Sequence, residues 1–127
     1  MKYLIAGHGN YPADTLKTIE FLLGKREDVL TVSAQPDNNN YRHEIDEIIE
    51  KNKNEGLIIF TDVLAGSVNQ YCMKKLANYD FKLITGYNVA MLLEILLQDN
   101  LDDEELNNII ETAKQQLIYC NELMNNI

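Results

Sequence analysis

Gly56-Leu57-Ile58-Ile59-Phe60-Thr61-Asp62-Val63-Leu64-Ala65-Gly66-Ser67 is the stretch on which the fold turns. It opens with an uninterrupted apolar run entered from a glycine, too short for a helix and rich in β-branched residues, which suits a strand buried on both faces. A short loop follows, and at Gly66 or Ser67 a helical pattern begins that runs to Ala77. Residues 3–6, 29–33 and 81–85 are apolar runs of the same kind, and helical patterns separate all four. Strands that alternate with helices pair in parallel through right-handed crossovers, so the expected class is α/β, a doubly wound and mainly parallel sheet with helices on both faces.

The first helix is expected from a cap at Asn10, with Pro12 in its first turn, to a stop at Gly24; Leu16, Ile19, Leu22 and Leu23 form its apolar stripe. A polar, turn-prone stretch, Gln35-Pro36-Asp37-Asn38-Asn39, precedes a second helix over residues 40–52 with Ile45, Ile48 and Ile49 inward. Later helices are expected over residues 89–99 and, as one long element, over residues 101–124. In that last helix Leu106, Ile109, Ile110, Ala113 and Leu117 read as a core or partner face, and the acidic residues 102–105 favour its first turn through the helix dipole. No repeat or linker divides the 127 residues, so a single domain over residues 1–127 is the expectation.

A net charge of −9 disfavours binding to nucleic-acid backbones, which needs clustered Lys and Arg. Cys72 and Cys120 show no zinc or disulfide spacing, and free thiols suit a reducing compartment. The first apolar run is too short for a secretory signal, and no run approaches the roughly 20 apolar residues that span a bilayer, so a cytoplasmic location is expected.

In doubly wound sheets ligands gather beyond the carboxyl ends of the strands, where successive crossovers go to opposite faces. With strand 1 central between strands 2 and 3, that rule selects the segments carrying His8 and Asp62. His8 sits in Ala6-Gly7-His8-Gly9-Asn10, between two glycines that allow a tight turn and leave the ring accessible. The Asp62 loop ends at a helix start whose unpaired amides and dipole suit an anion. Asp62 read alone is a turn residue and Ser67 a helix cap; their coincidence with His8 points to phosphoryl transfer. That chemistry needs an imidazole nitrogen as nucleophile, a carboxylate to fix the other nitrogen as donor, and amides for the phosphoryl oxygens. His8 and Asp62 are the candidate catalytic pair, and Ser67, Gly66 and Gly9 the candidate phosphate-binding residues, with neither metal nor cofactor required. Histidine titrates near neutral pH, so the carboxylate has to align the ring without keeping it permanently protonated.

The fourth strand leads into Gly86-Tyr87-Asn88, which places a glycine turn on the same rim, and Asn88 read alone is the cap of the next helix. His43, among Arg42, Glu44, Asp46 and Glu47, belongs to a solvated helix face and carries no role.

Gly7-His8-Gly9 after a strand, Leu22-Leu23-Gly24, Ile59-Phe60-Thr61-Asp62 with Gly66-Ser67, and Gly86-Tyr87-Asn88 with Met91-Leu92 follow one another in an order that resembles the IIA domains of the mannose family of the phosphoenolpyruvate-dependent sugar phosphotransferase system (PTS). The resemblance spans nearly the whole chain. It implies a sheet order of 2-1-3-4, extended in relatives by an edge strand that a partner subunit can supply. It also implies phosphorylation of His8 at Nε2, Asp62 bonded to Nδ1, and Ser67 at the phosphate. HPr is then the phosphoryl donor, a IIB domain the acceptor, the membrane IIC and IID components indirect partners, and the chain a homodimer. Departures fall on Ala65, where relatives often carry the first of two glycines, on Val68 and Ala90, where they often have proline, and on Gly7, where a hydroxyl residue is frequent. Two competing readings share the fold: the phosphocarrier subunit of a phosphoenolpyruvate-dependent dihydroxyacetone kinase, and a noncatalytic regulatory binding domain in which His8 is dispensable.

Overall fold

A computed structural model describes residues 1–125 of the chain. Its four strands are β1 (Lys2–His8), β2 (Val29–Ala34), β3 (Leu57–Thr61) and β4 (Lys82–Thr85), all parallel, in the order β2-β1-β3-β4. This is the expected α/β architecture with the expected strand order. Every residue of β3 is buried, as an unbroken apolar run requires when both faces of a strand are covered. The helices are α1 (Tyr11–Leu23), α2 (Tyr41–Asn52), α3 (Ser67–Lys75), α4 (Val89–Leu96), α5 (Asp103–Lys114) and α6 (Cys120–Asn125). No further strand follows β4 among the described residues.

The chain divides into two compact units, Met1–Tyr87 and Asn88–Ile127. The first holds the whole sheet with α1 to α3. In its main core Leu4 and Ala6 of β1, Val32 and Ala34 of β2, and Leu57 and Ile59 of β3 meet Tyr41, Ile45 and Ile49 of α2 and Val68 and Cys72 of α3. Helix α1 packs on β1 and β2 and buries Pro12, Thr15 and Ile19. Asn10 is the cap position of α1, as read. The apolar stripe is narrower than expected: Ile19 is buried, but Leu22 is half exposed. Leu16 and Leu23 are only partly covered, and Phe21 beside them is almost fully exposed.

In the second unit α4 packs against α5. Asn88 caps α4 by accepting a hydrogen bond from the Met91 N–H at 2.8 Å, and its amide donates to the Ala113 carbonyl at 2.9 Å. Asp102 and Glu105 form a reciprocal capping box at the start of α5, which puts the acidic run where the dipole favours it. The single long last helix is a misreading, because residues 115–119 break it into α5 and α6. Leu106, Ile109 and Ala113 are buried, but Leu117 is fully exposed and no residue of α6 is buried. A helix draws most of its stability from packing an amphipathic face, and that support ends at Ala113.

Candidate active site

Strand β1 carries its pairing with β2 through His8 to Ala34, and its pairing with β3 ends at Ala6 opposite Thr61. The next residues along the two central strands, Gly7 and Asp62, therefore face each other at the switch point. A Cβ on Gly7 would lie 2.7 Å from Asp62 Oδ2, so this glycine serves close approach of the carboxylate. That corrects the expectation of two turn glycines around His8. Gly7 is strand, and only Gly9, with φ at 61°, makes the turn.

The carboxylate is held from both sides. Asp62 Oδ2 accepts the His8 backbone N–H at 2.9 Å and meets ring Nδ1 at 2.8 Å, while Oδ1 accepts the Val63 N–H at 2.9 Å. Burial pushes the Asp62 carboxyl up, but the bonds from the His8 ring and backbone, with the ring's charge, outweigh it and hold the group below the usual carboxylate range. An ionised carboxylate only accepts, so the Nδ1 it meets carries a proton and the lone pair of a neutral ring sits on Nε2. The Asp62 side chain is 6% exposed and that of His8 47%, so the orienting group is sheltered and the ring it orients is half exposed.

Nε2 lies 3.3 Å from Ser67 Oγ. Gly66 occupies the N-cap of α3 and Ser67 its first position; lacking a side chain, Gly66 leaves the first-turn amides uncapped. A Cβ on Gly66 would stand 3.4 Å from His8 Cε1, which measures how closely the helix start approaches the ring. Gly9, His8 and Ser67 line one cleft of about 580 Å³, walled on the β2 side by Ala34, Gln35, Pro36, Asn39, Tyr41 and Arg42. The turn in that wall is closed by the Asn38 N–H to the Gln35 carbonyl at 3.1 Å and the Asn40 N–H to Asn38 Oδ1 at 2.8 Å. All five sequence-derived candidates thus stand at one end of the sheet. Tyr87, after β4, stacks on Tyr11 with ring centroids 5.3 Å apart, and burial pushes its phenol up to about 12.

Two contributors escaped the sequence reading. Asn69, 1% exposed, accepts the Ala65 N–H through Oδ1 and donates to Thr61 Oγ1, both at 3.0 Å, which ties the Asp62 loop to β3. In turn Thr61 donates to Thr85 Oγ1 at 2.8 Å. A polar residue in the first turn of α3 is the only trace of this in sequence. Arg42, assigned to a solvated face, lines the cleft because α2 starts beside the end of β2. His43 is exposed as expected and pairs with Glu47 at 3.0 Å.

A histidine steered by a carboxylate thus stands with Nε2 beside an uncapped helix start, at one end of a parallel sheet of order 2-1-3-4. The profile of the EIIA-man family, described as the PTS system fructose IIA component, matches residues 2–114, and the chain belongs to that family. It is a component of the sugar phosphotransferase system, with a role in phosphotransfer. Among solved structures, the PTS IIA protein associated with the fucose utilization operon of Streptococcus pneumoniae is 25% identical, with a TM-score of 0.85 over 97% of this chain and 95% of that one. Component EIIA from Streptococcus agalactiae is 21% identical, with a TM-score of 0.81 over 95% and 98%. The mannose/sorbose specific IIA subunit from Enterococcus faecalis is 18% identical, with a TM-score of 0.82 over 92% of each chain. These last two share the fold. No curated protein shows a significant match. No helix among the described residues is long and apolar enough to cross a membrane.

Proposed function

We propose that the chain is a cytoplasmic phosphocarrier that takes a phosphoryl group from phospho-HPr onto His8 and passes it to a IIB domain. The observation that carries this reading is the 2.8 Å contact between Asp62 Oδ2 and His8 Nδ1, which leaves the lone pair on Nε2, 3.3 Å from the Ser67 hydroxyl that donates to it. In the first step the Nε2 lone pair attacks phosphorus, the Nε2–P bond forms, and the bond between phosphorus and the donor breaks with its electron pair leaving on the donor. Positive charge grows on the imidazole as this proceeds, and the Asp62 carboxylate offsets it through Nδ1–H. The Ser67 hydroxyl and the first-turn amides of α3 receive the phosphoryl oxygens, with Gly66 and Gly9 admitting them closely. The second step is the same exchange run toward the acceptor. No metal enters either step. Half-exposure of the His8 ring suits a carrier, whose reacting atom has to meet two successive partners. Exposed Leu117, Ile118, Leu123 and Met124 at the end of the chain supply an apolar surface for the homodimer that belongs to this reading.

Incubation with enzyme I, HPr and phosphoenolpyruvate, followed by intact-mass measurement, tests the proposal. One acid-labile phosphoryl group is expected on the wild-type chain and none on His8→Ala. Labelling that survives the substitution rejects His8 as the carrier, and an unlabelled wild type rejects the function.

A further inference from the structure

Arg42 lines both clefts that flank Ser67, the larger one holding His8 and a second of about 180 Å³ lined also by Gln70, Tyr71 and Lys74. Among the described residues it is the only Lys or Arg lining the His8 cleft. Its guanidinium carbon lies 5.7 Å from the Tyr41 ring centroid and 5.5 Å from that of Tyr71, and Nε donates to the Tyr41 hydroxyl at 3.3 Å. The two rings meet edge to face, and the Tyr71 hydroxyl is fixed by bonds of 2.7 and 2.8 Å to the Asp46 carboxylate. Cation–π contact with two anchored rings restricts the guanidinium before any ligand arrives.

The acidic neighbours along α2 are diverted from Arg42. Asp46, one helical turn on and its natural i,i+4 partner, is taken by Tyr71 and by Lys75 at 3.0 Å, and Glu47 is taken by His43. No carboxylate among the described residues pairs with Arg42, in a chain whose net charge is −9. A phosphoryl group on His8 brings up to about two further negative charges next to Asp62, and the hydroxyl and amides there supply only dipoles. A planar guanidinium matches phosphate oxygens in pairs.

We infer that Arg42 is a phosphate-binding residue that holds the phosphoryl group carried by His8, a role that rests on the carrier function proposed for His8. Phosphoramidate, a small donor without a protein surface, isolates it. The donor's P–N bond breaks, ammonia leaves after taking up a proton, and the Nε2–P bond forms. Wild type, Arg42→Gln and Arg42→Lys are labelled this way, and the phosphoryl resonance is titrated by phosphorus NMR; each labelled chain is then equilibrated with HPr. For Arg42→Gln the phosphoryl titration moves to higher pH and the equilibrium shifts toward phospho-HPr by roughly tenfold, the scale of one charge-assisted bond at a partly solvated site. Arg42→Lys restores part of both, and melting falls by no more than a few degrees, since an exposed Arg42 gives up only its ring contacts and the bond to Tyr41. An Arg42→Gln chain that matches wild type in titration and equilibrium overturns the inference while leaving His8 as carrier. So does a variant slowed only in exchange with HPr, which makes Arg42 a contact for the partner protein. A wild type that takes phosphate from neither donor overturns both readings.

Discussion

Replacing Asp62 by Asn keeps the shape of the side chain and removes the feature on which the proposed chemistry depends. The carboxylate has three donors to satisfy: the His8 N–H and ring Nδ1 at Oδ2, and the Val63 N–H at Oδ1. An amide has one acceptor oxygen. If its carbonyl faces His8, its NH₂ confronts the Val63 N–H; if it turns round, the NH₂ confronts the His8 N–H and draws the ring proton to Nε2, where the nucleophilic lone pair has to be. Either orientation forfeits one of the carboxylate's hydrogen bonds, a cost of about 1 kcal/mol in stability. The transfer step loses in addition the charge-assisted bond that stabilises the forming imidazolium, worth roughly 2–3 kcal/mol, or on the order of a hundredfold in rate. The assay is rapid-quench transfer from phospho-HPr with intact-mass readout, paired with nitrogen NMR of the His8 ring to read the tautomer. An Asp62→Asn chain within threefold of the wild-type rate, or a wild-type ring carrying its proton on Nε2, refutes the reasoning. The variant also answers in pH. Because the folded-state pKa of Asp62 lies below its unfolded value, its contribution is present above the unfolded pKa and is lost as pH falls through the folded one. Wild type therefore loses stability relative to Asp62→Asn as pH drops below about 4.

Ala65 has φ at 64°, left-handed backbone that costs a residue with a Cβ about 1–2 kcal/mol, against the 0.5–1 kcal/mol that glycine loses in freedom. Ala65→Gly is expected to raise the melting temperature by a few degrees; a lower value removes the strain argument. Asn69→Ala leaves the Ala65 N–H without its acceptor and opens a buried void, so a loss of about 2–3 kcal/mol in denaturant unfolding is expected, with slower phosphoryl transfer as the Asp62 loop loosens. A variant that transfers at the wild-type rate would mean that Asn69 supports only stability. Cys72 is buried and its thiol is pushed up to about 12, by burial first and then by the charge of Asp46, whereas Cys120 is exposed. Titration of the folded chain with an aromatic disulfide reagent should consume one thiol and release the second only in denaturant; two fast thiols would place Cys72 outside the core.

What sequence made legible was whatever a single local pattern determines. The run 57–60 reads as a doubly covered strand because nothing in it tolerates water, and once the four runs alternate with helices, parallel pairing brings His8 and Asp62 to one end. What it hid depends on where chains cross. Gly7 reads as a turn residue next to Gly9, and only the register of β1 against β3, with the carboxylate 2.7 Å from where a Cβ would stand, reveals the other reason for a glycine. The same limit explains the last helix: periodicity at Leu106, Ile109 and Ala113 continues formally to Leu117, but a pattern cannot tell how far the surface that rewards it extends.

Arg42 is the sharper case, because charge averaged over the chain points away from it. A net charge of −9 argues against attraction to phosphate, and Arg42 stands among acidic residues on α2 as any solvated cation does. What sets it apart is tertiary: Tyr71 arrives from α3, claims Asp46, and leaves the guanidinium against two rings in the lining of the His8 cleft. The electrostatics of a transfer site follow from which charges are already paired, so an acidic protein can still offer phosphate a cation, provided that its own carboxylates are occupied elsewhere. The loop opposite obeys the same logic. Ala65 keeps its strained backbone because Asn69 binds its amide, and the start of α3 stays close against the His8 ring.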